Sequence, residues 1–102
     1  MNDATYDAMI REMCNGSRVI AVFHDMQSAG QAFERVRERF FERDVKCESR
    51  KSNGRILIKA QGGSIRFTSE RAELRGSSCE AFFIDETVAF RTWWAPLIDK
   101  AK

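Results

Sequence analysis

The sequence predicts an α/β fold: a small three-layer arrangement around a mixed sheet, with parallel core strands and an antiparallel meander. Three observations predict it. An apolar run rich in β-branched residues, Arg18 to Phe23 (RVIAVF), leads directly into an amphipathic helical segment. Two strand-like segments flank Asn53-Gly54, the strongest short-range signal for a tight hairpin. A second apolar run, Ala81 to Ile84, ends on adjacent carboxylates, Asp85-Glu86.

Each element follows from its local pattern. From Ala4 to Cys14, Tyr6, Met9, Ile10 and Met13 recur at helical spacing, Asp3 stands where a cap belongs, and Asn15-Gly16 supplies the stop. The Arg18–Phe23 run is apolar at every inner position, as in a strand covered on both faces. A second helix is expected over Gln27 to Phe41, with Ala29, Ala32, Phe33, Val36 and Phe40 on one stripe and Asp25 or Ser28 as its cap. Strands are expected at Val45–Ser49, Arg55–Ala60 and Ser64–Thr68, with Arg50 to Gly54 as one connection and Gln61-Gly62-Gly63 as the next. In that meander Ile56, Ile58, Ile65 and Phe67 face inward while Arg55, Lys59 and Arg66 face outward. The run Ala81–Ile84 forms the last strand, a parallel neighbour of Arg18–Phe23. A helical segment from Val88 to Ala101 carries Phe90, Trp93, Trp94, Leu97 and Ile98 on one side and is kinked or restarted at Pro96.

Length and composition narrow the function classes. At 102 residues the chain is one domain, 1–102, with enough apolar residues (43%) to fill a single modest core. No apolar run is long enough to span a membrane, and the mixed, acidic first residues are unlike a secretory signal. Cys14, Cys47 and Cys79 are odd in number, widely spaced and without a Cys-x-x-Cys pair, so reduced thiols in a cytoplasm fit better than disulfides or zinc. Charge is uneven. Residues 1–45 hold six basic and eight acidic side chains, residues 46–75 hold eight and three, and residues 76–102 hold three and four. The basic middle is the electrostatic mark of a polyanion partner. Arg50, Lys51, Arg55, Lys59 and Arg66 are its candidate phosphate contacts, and binding through them is non-specific in sequence and sensitive to salt. The bland counterpart is a solvated face whose charges discourage edge pairing. Adjacent Trp93 and Trp94 cannot both be central on one helix, so one of them is a candidate anchor for a protein partner or a second copy. His24-Asp25 and Cys79-Glu80 are read as a helix cap and a packing residue, and no nucleophile-base arrangement stands out.

One longer pattern remains. Arg75-Gly76 is followed by three residues, an acid (Glu80), four apolar residues and Asp85-Glu86, and a Gly63-Ser64-Ile65-Arg66-Phe67 strand lies upstream. This arrangement resembles the ATPase domain of phage terminase large subunits and, more loosely, superfamily 2 helicases; it spans roughly Arg18 to Lys100. The resemblance implies a truncated P-loop-ATPase-like domain of viral or prophage origin. In it Asp85 would be the Mg²⁺-associated acid, Glu86 the residue that orients the attacking water, and Arg75-Gly76 a loop facing the nucleotide. The chain departs from the family in one decisive respect: it contains no GxxxxGK[ST] loop to cradle phosphates. The expectation is therefore a non-catalytic relative that binds a protein or nucleic-acid partner and needs no cofactor. Two alternatives stand beside it. One is a subunit of a split packaging or helicase ATPase, with Mg²⁺ and ATP held only when another chain supplies the phosphate loop. The other is a phage inhibitor of a host protein. Without a phosphate loop, Asp85-Glu86 reads structurally as a strand end whose acids cap the next helix, with Thr87 helping.

Overall fold

The computed structural model describes residues 1–42, 48–52, 55–71 and 79–88, with side chains for 1–39, 56–71 and 79–88. Two helices and five strands follow in the order α1 (Asp3–Cys14), β1 (Arg18–Phe23), α2 (Met26–Glu42), β2 (Glu48–Ser52), β3 (Arg55–Ala60), β4 (Gly63–Ser69) and β5 (Ala81–Ile84). The strands form one mixed sheet in the order β2-β3-β4-β1-β5. The meander β2-β3-β4 is antiparallel, and β1 runs parallel to both β4 and β5.

The helices begin and end for local reasons. The cap of α1 is Asn2 and not Asp3: the Asn2 Oδ1 accepts from the Thr5 amide at 2.9 Å, while Asp3 occupies the first turn. Either residue type can cap; the helix starts at Asp3, one residue earlier than expected, and that places Asn2 at the cap. Gly16 ends the helix region at φ +88, a conformation that costs glycine little. At α2 the Asp25 carboxylate accepts from the Ser28 amide at 2.7 Å, and this hydrogen bond holds its carboxyl below the usual range.

Both helices lie on one face of the sheet. Tyr6, Met9, Ile10 and Met13 of α1, with Ala29, Ala32, Phe33 and Val36 of α2, pack on Val19, Ala21, Phe23, Ile56, Ile58, Ile65 and Phe67. The Phe33 ring meets Phe67 edge-on at 5.9 Å, and Phe23 stacks over Phe67 at 6.4 Å. Each fully buried side chain of this kind contributes roughly 1.5–3 kcal/mol. Arg39 joins the helices from outside, its Nε donating to Asp7 at 2.9 Å. On the opposite face Ile20, Val22, Cys79 and Val88 form a second, smaller cluster, against which Phe82 and Ile84 pack.

Three expectations are corrected or bounded by this arrangement. The described helices make two layers with the sheet, because α1 and α2 share a face; the expected helix beyond Val88 lies outside the described residues. β2 runs from Glu48 to Ser52, so Arg50 and Lys51 are strand residues and not part of a connection. β5 is parallel to β1 as expected, but it ends the sheet among the described residues and is only half-buried. An apolar run of four residues fits an edge strand with covered faces as well as a central one, so the sequence pattern does not separate the two.

Candidate functional site

Strand register gathers basic residues from three strands at neighbouring positions of the sheet. Leu57 on β3 sits opposite Arg50 of β2 on one side and opposite Arg66 of β4 on the other. Along β3 its same-face neighbours are Arg55 and Lys59, since strand residues two apart share a face. Every nearest neighbour of Leu57 on that face is therefore basic. The face is the one turned away from both helices, because Ile56 and Ile58, which alternate with Leu57, are buried against them. Lys59 is exposed, and Leu57 and Arg66 are half-exposed. Lys51 is the exception among the five sequence candidates: it pairs with Ile56 and belongs to the helix-side face.

Cross-strand neighbours lie about 5 Å apart and i, i+2 neighbours about 7 Å, so adjacent arms of this cross are separated by about 8 Å. At that distance each like-charged pair repels by about 0.5 kcal/mol in water. The acid nearest by register is Glu48, opposite Lys59 at the outer strand. Continuing across the sheet, Arg66 adjoins Ile20, and Arg18 shares that face two residues before Ile20. The Arg18 Nε donates to both Glu80 oxygens, at 3.0 and 3.1 Å, with the guanidinium 59% exposed. Arg18 is absent from the sequence candidates; its parity with Ile20 and Val22 is the signal that could have found it.

The acidic strand end is differently organised. Asp85 follows β5 and is buried, whereas the Glu86 side chain is 79% exposed. The Met1 ammonium donates to Asp85 Oδ1 at 2.5 Å and lies 3.5 Å from Glu86. Asp85 Oδ2 accepts from the Thr87 amide at 3.3 Å and from the Thr87 hydroxyl, and its carbonyl accepts from Val88. Burial pushes the Asp85 carboxyl up, but the hydrogen bonds from Met1 and Thr87 outweigh it and hold the carboxyl below its ordinary value. The Met1 ammonium is raised in turn, chiefly by its bond to Asp85. The arrangement is a turn locked by its own acid, as in an Asx-type cap.

Beside it, beyond the end of β1, a cavity of about 500 Å³ opens among Met1, Tyr6, Phe23, Arg35, Glu38 and Asp85. Its walls mix both charge signs with two aromatic rings, and burial raises the Tyr6 hydroxyl. No group of three or more His, Cys, Asp or Glu side chains gathers to hold a metal ion among the described residues. Cys79 is buried and its thiol is pushed up by burial, which suits packing and disfavours nucleophilic chemistry. His24 Nδ1 lies 3.5 Å from Glu70 at the surface. No described helix is long and apolar enough to cross a membrane. Arg75-Gly76, Trp93 and Trp94 lie outside the described residues.

Comparison with protein-family models, with curated proteins and with solved structures returns no match.

Proposed function

We propose that this chain is a non-catalytic binding protein, of the phage type that its terminase-like pattern suggests, and that it holds the phosphate backbone of a nucleic acid on the basic face of its sheet. The observation that carries the reading is the cross of Arg50, Arg55, Lys59 and Arg66 around Leu57. Four cations at neighbouring positions repel one another in the free chain, and a phosphate backbone relieves that repulsion while releasing its own counterions. A face of this kind reads charge and not sequence, since phosphate contacts fix position without carrying base information.

The split-ATPase alternative asks Asp85 to accept a hydrated Mg²⁺. Its carboxylate is instead engaged on both oxygens, by the Met1 ammonium and by Thr87, which favours a structural role. The test of the binding reading is retention on DNA cellulose at low salt. Arg50→Gln/Arg55→Gln should elute well before the parent chain, and Lys51→Gln, on the other face, should elute with it. If both variants elute with the parent, the basic face is not the contact.

A further inference from the structure

The cations of this face form a line that continues past the cross. Arg55 on β3, Arg66 on β4 and Arg18 on β1 step one strand across and two residues along at each move, as the pairings Leu57↔Arg66 and Ile20↔Arg66 require. Each step is about 8 Å, from strand spacing of about 5 Å and a two-residue rise of about 7 Å. A second, shorter line, Arg50 to Lys59, runs parallel to it. Arg18 ends the longer line on β1, one strand beyond Arg66 and two from the centre of the cross, and there Glu80 neutralises it.

We infer that the chain binds a single-stranded nucleic acid whose backbone runs diagonally over the sheet along Arg55, Arg66 and Arg18, and that Glu80 competes with phosphate for Arg18. This rests on the reading of the basic face given above. The five positions tile a patch about 14 Å across the strands and about 13 Å along them, nearly as wide as it is long. A rigid duplex is a cylinder and meets such a flat patch along one line, whereas a flexible single strand follows it. The step of about 8 Å is close to the reach between successive phosphates of an extended strand once long arginine side chains adjust. The Arg18–Glu80 pair is exposed, so a phosphate can exchange for the carboxylate at little cost.

The experiment is fluorescence anisotropy of a labelled oligothymidylate and of a duplex of equal length, titrated with the full chain over a range of salt. The parent chain should bind the single strand at least several-fold more tightly than the duplex. Arg18→Gln should weaken single-strand binding and lower the salt slope by about 0.7, the loss of one phosphate contact. Glu80→Gln should strengthen binding several-fold, a gain that misfolding does not produce, and the gain should vanish in the Arg18→Gln background. Failure of the parent chain to bind either oligonucleotide removes the basic-face reading itself. Binding that Arg50→Gln/Arg55→Gln weakens but Arg18→Gln and Glu80→Gln leave unchanged keeps that reading and overturns the diagonal path. Duplex binding as tight as single-strand binding overturns the choice of ligand.

Discussion

Gly63 lies against the backbone of Met13: a side-chain carbon at position 63 would fall 2.1 Å from the Met13 carbonyl oxygen and 2.6 Å from that of Ser17. The first residue of β4 thus passes directly under the end of α1, where the Ser64 amide donates to Ser17 at 3.0 Å. Both obstructing atoms belong to backbone, which cannot swing aside as a long side chain can. Gly63→Ala should therefore force α1 off the sheet and cost about 2 kcal/mol or more, within the range of overpacked cores. Urea unfolding measures it, and a loss below about 0.5 kcal/mol would show that α1 shifts without resistance.

The β3–β4 hairpin turns through Gln61 at φ +54 and Gly62 at φ +83, with Ala60 paired to Gly63. Two consecutive positive φ values define the turn whose twist matches a hairpin and whose preferred sequence is Asn-Gly. Gln61 has a full side chain in the left-handed region without the local hydrogen bonding that lets Asn rest there. Gln61→Asn should stabilise the chain by about 0.5–1 kcal/mol. A rise in the denaturation midpoint at unchanged slope checks it.

These features differ in how far the sequence discloses them. Arg18–Phe23 and the α1 and α2 stripes are legible because burial on the helix side imposes apolar residues at fixed spacing. The inward set Ile56, Ile58, Ile65 and Phe67 is legible for the same reason, and all four are buried. β2 is misplaced because Glu48–Ser52 (ESRKS) holds no apolar residue, so only its pairing with β3 makes it a strand. The basic cross has no local signature either: its members come from three strands, and a shift of one residue in either pairing disperses them. The bond from Met1 to Asp85 spans 84 positions and depends wholly on where α1 lands.

Without a phosphate loop, the chain is expected not to bind nucleotide on its own. A triphosphate needs backbone amides, a lysine and a metal-bearing acid together, and the sequence lacks the phosphate loop. Calorimetric titration of the chain with ATP and Mg²⁺ should give no saturable heat in the micromolar range. Asp85→Asn should change nothing in that titration. Micromolar binding lost in Asp85→Asn would restore the split-motor reading.

Asp85 and Met1 should give the chain a window of pH stability with two defined edges. The Asp85 carboxyl titrates lower in the folded chain than in the unfolded one. Its contribution is therefore present above the ordinary carboxylate value of about 4 and is lost as pH falls through the depressed folded value. The Met1 ammonium titrates higher when folded than its ordinary 8.0. Its contribution is full below that value and is lost as pH rises through the raised one. The Met1 and Asp85 side chains are packed away, with 2% and 11% exposed, but the bond between the ammonium and the carboxylate is only part-buried, so solvent screens the pair in part. Replacing the carboxylate leaves the ammonium without its charge partner, and Asp85→Asn should cost about 2 kcal/mol near pH 6, the scale of a charge-assisted hydrogen bond. The gap to the parent chain should begin to narrow below about pH 4 and close only as pH falls through the depressed folded value of the Asp85 carboxyl, and it should narrow again in alkali as the ammonium deprotonates. Urea titrations of both proteins across that range measure it. A gap that closes in acid but stays constant in alkali would mean that Asp85 acts only through its bonds to Thr87.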